Sequence, residues 1–208
     1  MDYNKVLQQR NGFLKSMAEK RMSDYSLLDV YDEQLARYGA FIYQKRREFL
    51  QEFLPLVSKF YTQIAGQSEP LALTYESQLH ECSFPQLLLR LRQKDCIVQR
   101  TSGGIHRDDI NTQLNNQPFK SLASQGQRKS LLFAFKLAAF ETLKENKGFS
   151  PILLLDDVFE KLDEARMQNL LEYVCRESGA QVFITDTHKD RLQQAFVKIG
   201  KGYDLIEL

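Results

Sequence analysis

Between Tyr3 and about residue 65, apolar positions recur at intervals of three, four and seven, as in Leu28, Tyr31, Leu35, Tyr38, Ile42 and Phe49. That spacing is the stripe of a helix with one buried face. It predicts a first helix from Tyr3 to about Arg21, a break at Ser23-Asp24, whose side chains suit an N-cap, and a long helix from Leu27 through Phe60. Pro55 is expected to kink or end the long helix, because it has no N–H to donate and its ring clashes with the preceding turn. After about Glu69 the texture changes. Leu71 to Tyr75, Cys96 to Arg100 and Ile110 to Leu114 read as short strands, the last followed by a turn at Asn115-Asn116. Phe84 to Gln93 reads as a helix between them.

From Ser124 onward the order becomes helix, strand, helix, strand, the mark of a parallel α/β sheet. The helix opens with SLASQGQRKSLLFAF (Ser121 to Phe135). Ser124 suits the N-cap, Gln127 completes a capping box, and Leu131, Leu132, Phe135, Ala138 and Ala139 form the expected buried stripe. Gly126 allows close approach to the backbone. Arg128 and Lys129 oppose the helix dipole by roughly a few tenths of a kcal/mol each. Such a turn either suits an anion such as phosphate or is a solvated basic turn.

The run PILLLDD, Pro151 to Asp157, reads as a strand buried on both faces. Asp156 and Asp157 then fall at its carboxyl end, where ligands sit in open α/β sheets. One carboxylate there can serve Mg²⁺ beside a nucleotide phosphate and the second can orient or deprotonate an attacking water; the bland alternative is a turn and helix cap. Asp163 begins a helical pattern through Leu170, Leu171 and Val174. Gln181 to Thr185 makes a second strand that ends in Asp186-Thr187-His188. This strand, helix, strand order predicts a right-handed crossover that aims two polar clusters at one crevice.

With 208 residues and 43% hydrophobic composition the chain can bury a core. Its 28 Lys and Arg nearly cancel 27 Asp and Glu, and a net charge of +1 supplies no long-range field for nucleic acid or an anionic membrane. Any such partner must be met by a local patch, for which Lys45-Arg46-Arg47 is a candidate; the other account of that cluster is a solvated helix face. Cys82, Cys96 and Cys175 are scattered and include no CxxC pair, which points away from a disulfide framework or zinc knuckle. No stretch is apolar enough to span a membrane, and the N-terminus does not read as a signal peptide, so a soluble intracellular protein is expected.

In order, Ser124-Gln-Gly-Gln127, the apolar helix, Ile152 to Asp157 and Lys161-Leu-Asp163 resemble the signature helix, Walker B strand and D-loop of ABC-type ATPases. GIHRDDI (Gly104 to Ile110) resembles the Gly-Pro-His-Arg-Asp-Asp-Leu of the RecF family, with Ile105 in place of Pro. YNKVLQQRNGFLK and YDEQLARYGAFIYQKRREFL are similar to the helical region of that family. The likeness runs over nearly the whole chain. It implies an α/β fold: a mainly helical arm domain at residues 1–95, then at 96–208 the C-terminal half of an ABC-type (P-loop) ATPase head with a largely parallel sheet. It implies that Ser124, Gly126 and Gln127 reach the γ-phosphate of ATP bound on the opposite subunit, with Gln125 and Arg128 at the same interface. Asp156 would serve Mg²⁺, Asp157 would be the catalytic carboxylate, and Asp163 would cross the dimer interface. The register puts Asp186 where the family's switch His falls, and His188 two residues later.

Nothing in the sequence matches GxxxxGK[ST]; Gly103-Gly104 leads only to Ile-His-Arg. In the RecF family the Walker A loop and adenine-binding lobe precede the region this chain resembles. The expectation is therefore the C-terminal part of such a protein, a fragment or a split subunit, that does not hydrolyse ATP alone. One side of its sheet should lie uncovered, with an apolar patch and a tendency to self-associate. The resemblance further implies an ATP-driven homodimer in the bacterial cytoplasm, associated with the nucleoid and not with membrane. It would bind DNA near single-strand gaps or junctions and act with RecO and RecR to load RecA in replication, recombinational repair and the SOS response. The rival expectation is a non-catalytic scaffold for protein partners, in which PILLLDD is only a strand and turn; a RecF-like ATPase of overcoming-lysogenization or phage-defence type shares the motifs.

Overall fold

The computed structural model describes residues 2–21, 24–156, 158, 160–186 and 189–206. Helix α1 (Asp2–Lys20) and helix α2 (Ser26–Ala65) follow the apolar stripe of the first part. The carboxylate of Asp24 accepts the Ser26 N–H at 2.9 Å and so covers an open donor at the start of α2; Ser23 lies outside the described residues. Pro55 does not end α2, which runs ten residues beyond it to Ala65. The reason is burial around it. Pro55 and Gln51 are both exposed, so the carbonyl that loses its N–H partner faces water, while Leu54, Val57 and Phe60 hold the opposite face in the core.

Strand β1 (Leu71–Glu76) is followed by helix α3 (Phe84–Val98). The stretch Cys96 to Arg100, expected as a strand, is the end of α3 and the turn after it. Ser83 and Gln86 form a capping box, Pro85 sits in the first turn, and the helix stops at Gln99, whose φ of 55° is left-handed. Tertiary demand outweighs the β-branched Ile97 and Val98: Asp95 is fully buried on the same helix as Leu87 and Leu88. It accepts hydrogen bonds from Arg10 at 2.7 Å and from the Ser102 backbone N–H at 2.9 Å.

The remaining elements are strands β2 (Asp109–Leu114) and β3 (Gln117–Pro118), a short helix α4 (Phe119–Leu122), helix α5 (Gln125–Lys147), strand β4 (Leu153–Leu155), helix α6 (Glu164–Glu172) continued by a π turn at Tyr173–Glu177, strand β5 (Val182–Ile184) and helix α7 (Lys189–Ile199). β1, β2 and β3 form one sheet, with β2 and β3 antiparallel through Leu114↔Gln117. Asn115 and Asn116 make the hairpin turn with φ of 52° and 61°, the pair of positive values that a two-residue hairpin needs. β4 and β5 pair in parallel across α6.

The chain divides into two compact units, Met1–Gln51 with Thr74–Asn111, and Glu52–Leu73 with Thr112–Leu208. The first is built on Tyr3, Val6, Leu35, Phe84, Leu87 and Ile105. The second is built on Phe60, Phe133, Ala134, Leu137, Leu155 and Leu170, among others. Two burial expectations are corrected in the second unit. PILLLDD is covered on one face only, since Leu153 and Leu155 are buried while Leu154 is 68% exposed. On α5, Leu131 and Ala138 are buried as expected, and Phe135 packs against the core, but Leu132 and Ala139 are exposed. The core wraps most of the helix, taking Phe133, Ala134, Leu137 and Phe140 too, and leaves the line through Leu132 and Ala139 outward.

Candidate functional site

The start of α5 is built as its sequence dictates. Ser124 has extended φ and ψ of −62° and 166°, and its hydroxyl accepts the Gln127 N–H at 3.2 Å. The Gln127 side chain reaches back to accept the Ser124 N–H at 2.9 Å. This reciprocal box satisfies the N–H groups of Ser124 and Gln127 and leaves those of Gln125 and Gly126 outside it. Gly126 is needed for close packing: a Cβ there would lie 3.3 Å from the backbone oxygen of Lys161, which turns with a positive φ of 65°. The neighbour that approaches Gly126 is thus the chain's own segment leading to Asp163. Arg128 is exposed and donates from its guanidinium to the Lys120 carbonyl at 3.0 Å. Lys129 lies over the Phe133 ring at 5.8 Å.

Asp163 caps α6. One carboxylate oxygen accepts the Arg166 N–H at 2.9 Å and the other accepts Arg166 Nε at 3.0 Å. Sequence reading missed what lies behind this cap. The Arg166 side chain is only 8% exposed, and its other guanidinium nitrogens donate to Glu69 Oε1 and, at 3.2 Å, to Ser130 Oγ. Ser130 donates in turn to the Gly126 carbonyl at 2.9 Å. Glu69, 10% exposed, also accepts from Tyr61 Oη at 2.6 Å and from Gln127 Nε2 at 3.2 Å. Burial pushes the Glu69 carboxyl up, but donors from Tyr61, Arg166 and Gln67 and the Arg166 charge outweigh it and hold the group below its ordinary range. Burial opposes the Arg166 charge likewise, and Glu69 raises its pKa in spite of that. The Asp163-x-x-Arg166 spacing was a local signal for the cap. Nothing local signalled Glu69, which lies far away in the chain.

At the carboxyl ends of the parallel pair, Asp156 is exposed and its carboxylate accepts from Thr185 Oγ1. The β4–β5 register, with Leu155 beside Ile184, brings Asp156, Thr185 and Asp186 to one sheet edge. Asp157, Thr187 and His188 lie outside the described residues. Among the described residues no three His, Cys, Asp or Glu side chains gather to enclose a metal ion. A strand-end carboxylate such as that of Asp156 instead fits the way Mg²⁺ is held beside a nucleotide, by one or two carboxylates with phosphate oxygens and water. In the basic cluster, Lys45 pairs with Glu48 at 2.9 Å on an exposed face. Arg46 is a structural link, donating to the Ile105 carbonyl at 2.6 Å and to Asp108 at 3.2 Å within GIHRDDI.

A parallel strand pair with an acidic edge, crossed by an Asp-capped helix and flanked by the SQGQ-capped helix, puts the chain among mixed helix-and-strand proteins built like part of a RecF-type ATPase. The chain belongs to the family described as an uncharacterised protein conserved in bacteria (DUF2326), whose model matches residues 93–198. It is also similar over its whole length to DNA replication and repair protein RecF of Flavobacterium johnsoniae, at 42% identity over 100% of this chain and 58% of that protein. RecF of Cytophaga hutchinsonii is 40% identical over 97% of this chain and 53% of its own length. A solved structure of the recombination mediator protein RecF-ATP in the RecFOR pathway matches 91% of this chain and 52% of that one, with a TM-score of 0.74 and 32% identity. Its RecF-ATPrS counterpart matches with the same TM-score at 30% identity. The chain thus spans little more than half the length of the curated relatives it matches, aligning with their C-terminal part. The RecF resemblance read from the motifs is borne out. Among the described residues no helix is long and apolar enough to cross a membrane.

Proposed function

We propose that this chain supplies the signature-helix, D-loop and acidic strand-end parts of a RecF-like, ATP-dependent DNA-binding protein of recombinational repair and replication. The observation that carries this reading is the junction of two segments: the exposed Ser124–Gln127 box sits against the Lys161 backbone, and the Asp163 cap belongs to the same hydrogen-bonded network. The N–H groups of Gln125 and Gly126, the proton of the Ser124 hydroxyl and the nearby charges of Arg128 and Lys129 form a set that suits an anion such as phosphate. Across a homodimer, this set would meet the γ-phosphate of ATP bound by the other copy, with Asp163 crossing beside it. Asp156 would hold Mg²⁺ together with phosphate oxygens and water, Asp157 would orient the attacking water, and Asp186 or His188 would sense the phosphate. Bound ATP would supply the phosphoanhydride whose cleavage releases the dimer.

The sequence has no P-loop, so the phosphates must be cradled by a lobe that carries one. DNA at gaps or junctions, RecO, RecR and the loading of RecA are the partners and role of this reading, in the bacterial cytoplasm at the nucleoid. The test fuses this chain behind the P-loop lobe of the Flavobacterium johnsoniae relative and follows Mg-ATP hydrolysis and sedimentation, with and without Asp157→Asn. ATP-driven dimers that Asp157→Asn traps without turnover are the expected result. If ATP alters neither assembly nor hydrolysis, the chain is a scaffold and the nucleotide reading is wrong.

A further inference from the structure

No motif singles out Arg166, yet its guanidinium makes three hydrogen bonds, to three separate segments of the chain. Its Nε holds Asp163 at 3.0 Å, its Nη1 holds Ser130 at 3.2 Å, and its Nη2 pairs with Glu69. Ser130 lies one turn into α5 and grips the Gly126 carbonyl, while Glu69 also holds the Gln127 side chain at 3.2 Å. The guanidinium therefore touches the turn before α6 directly and the first turn of α5 through two independent routes. Both it and Glu69 are almost wholly removed from water, where a charged pair with several donors has one well-defined geometry and a strong penalty for leaving it.

We infer that Arg166, held by Glu69, is a positioning residue that fixes the Ser124–Gln127 turn and the Asp163 turn as one body, so that both reach a partner copy's nucleotide in a single geometry. The inference rests on the nucleotide reading above. A rigid link matters there because a contact set misplaced by about 1 Å loses about a hundredfold in effect. A purely structural ion pair would stabilise the second unit without setting the mutual placement of these turns, and the two roles separate experimentally.

The test uses Arg166→Lys, which keeps the charge opposite Glu69 but cannot hold Asp163, Ser130 and Glu69 together through one planar fork. Glu69→Gln is the second variant, retaining the side-chain shape without the charge. In the chain itself, hydrogen exchange at the amides of Arg128–Ser130 and Arg166–Met167 is expected to rise at least tenfold, while exchange in α7 stays within twofold. In the P-loop fusion, ATP affinity is expected to stay within twofold and the ATP-driven dimer to weaken at least tenfold. Faster exchange throughout the second unit, or a dimer within twofold of the unsubstituted protein, overturns the positioning role alone. No ATP-driven dimer in the unsubstituted fusion overturns the nucleotide reading and this inference with it.

Discussion

Leu154 and Phe183 are direct neighbours in the parallel β4–β5 register, and both face solvent, 68% and 46% exposed. Ile152, also exposed, lies two residues before Leu154, so the outer side of this strand pair carries several large apolar groups. Apolar surface of this kind drives association. The chain is expected to self-associate as its concentration rises, and Leu154→Arg to weaken that association about tenfold, or about 1.4 kcal/mol. Sedimentation equilibrium checks it. An unchanged association constant would place the contact elsewhere.

Phe84 sits where two glycines make room for it. A Cβ on Gly39 would lie 2.1 Å from the ring, and one on Gly104 would lie 2.4 Å from it. Gly104 also has a φ of 116°, which L side chains rarely adopt. The ring is 2% exposed and cannot swing away. Gly104→Ala should therefore cost about 2–4 kcal/mol, combining backbone strain with overpacking. Urea unfolding measures this, and adding Phe84→Leu should recover part of the loss through a favourable coupling energy. Simple additivity of the two changes would rule out the clash as the cause.

His106 and Glu69 set a pH dependence whose sign is the same for both. His106 Nδ1 lies 3.0 Å from the Tyr3 hydroxyl and Nε2 lies 3.3 Å from the Thr101 carbonyl, so the neutral ring with its proton on Nε2 satisfies both. Burial holds its pKa below the ordinary 6.5, with Arg107 adding to the effect and the Thr101 carbonyl opposing it. The unfolded chain then takes up this proton first as pH falls. The stability it contributes is full above pH 6.5 and is lost as pH falls through the lower folded value. Glu69 repeats the pattern from its ordinary 4.5 downward. Urea midpoints are expected to decline first below pH 6.5 and again below 4.5, with the His106 ring resonances in NMR titrating below 6.5. A His106 midpoint at or above 6.5 would contradict the first step.

Local chemistry was legible because its partners are close in the chain. The Ser124–Gln127 box and the Asn115-Asn116 turn each rest on residues within three positions, and both form as read. The ordered motifs around them were enough to indicate the likeness to RecF. Burial on one face or two was not legible: Leu132 and Leu154 have the same apolar character as their buried neighbours, and only what packs on each side separates them. Propensity likewise favoured a strand at Cys96 to Arg100, yet the buried Asp95 requires a helix there.

What the sequence by itself determined is the set of local elements with short-range partners, the acidic strand end and the kinship with RecF. Only the tertiary structure decided which distant charges meet. Arg10 is fully buried and donates to Asp32 at 2.6 Å and to Asp95 at 2.7 Å, and Arg166 finds Glu69 across four intervening strands and several helices in sequence. A charge leaves water only where folding has already gathered opposite charges and donors around it, and no spacing along the chain encodes that gathering.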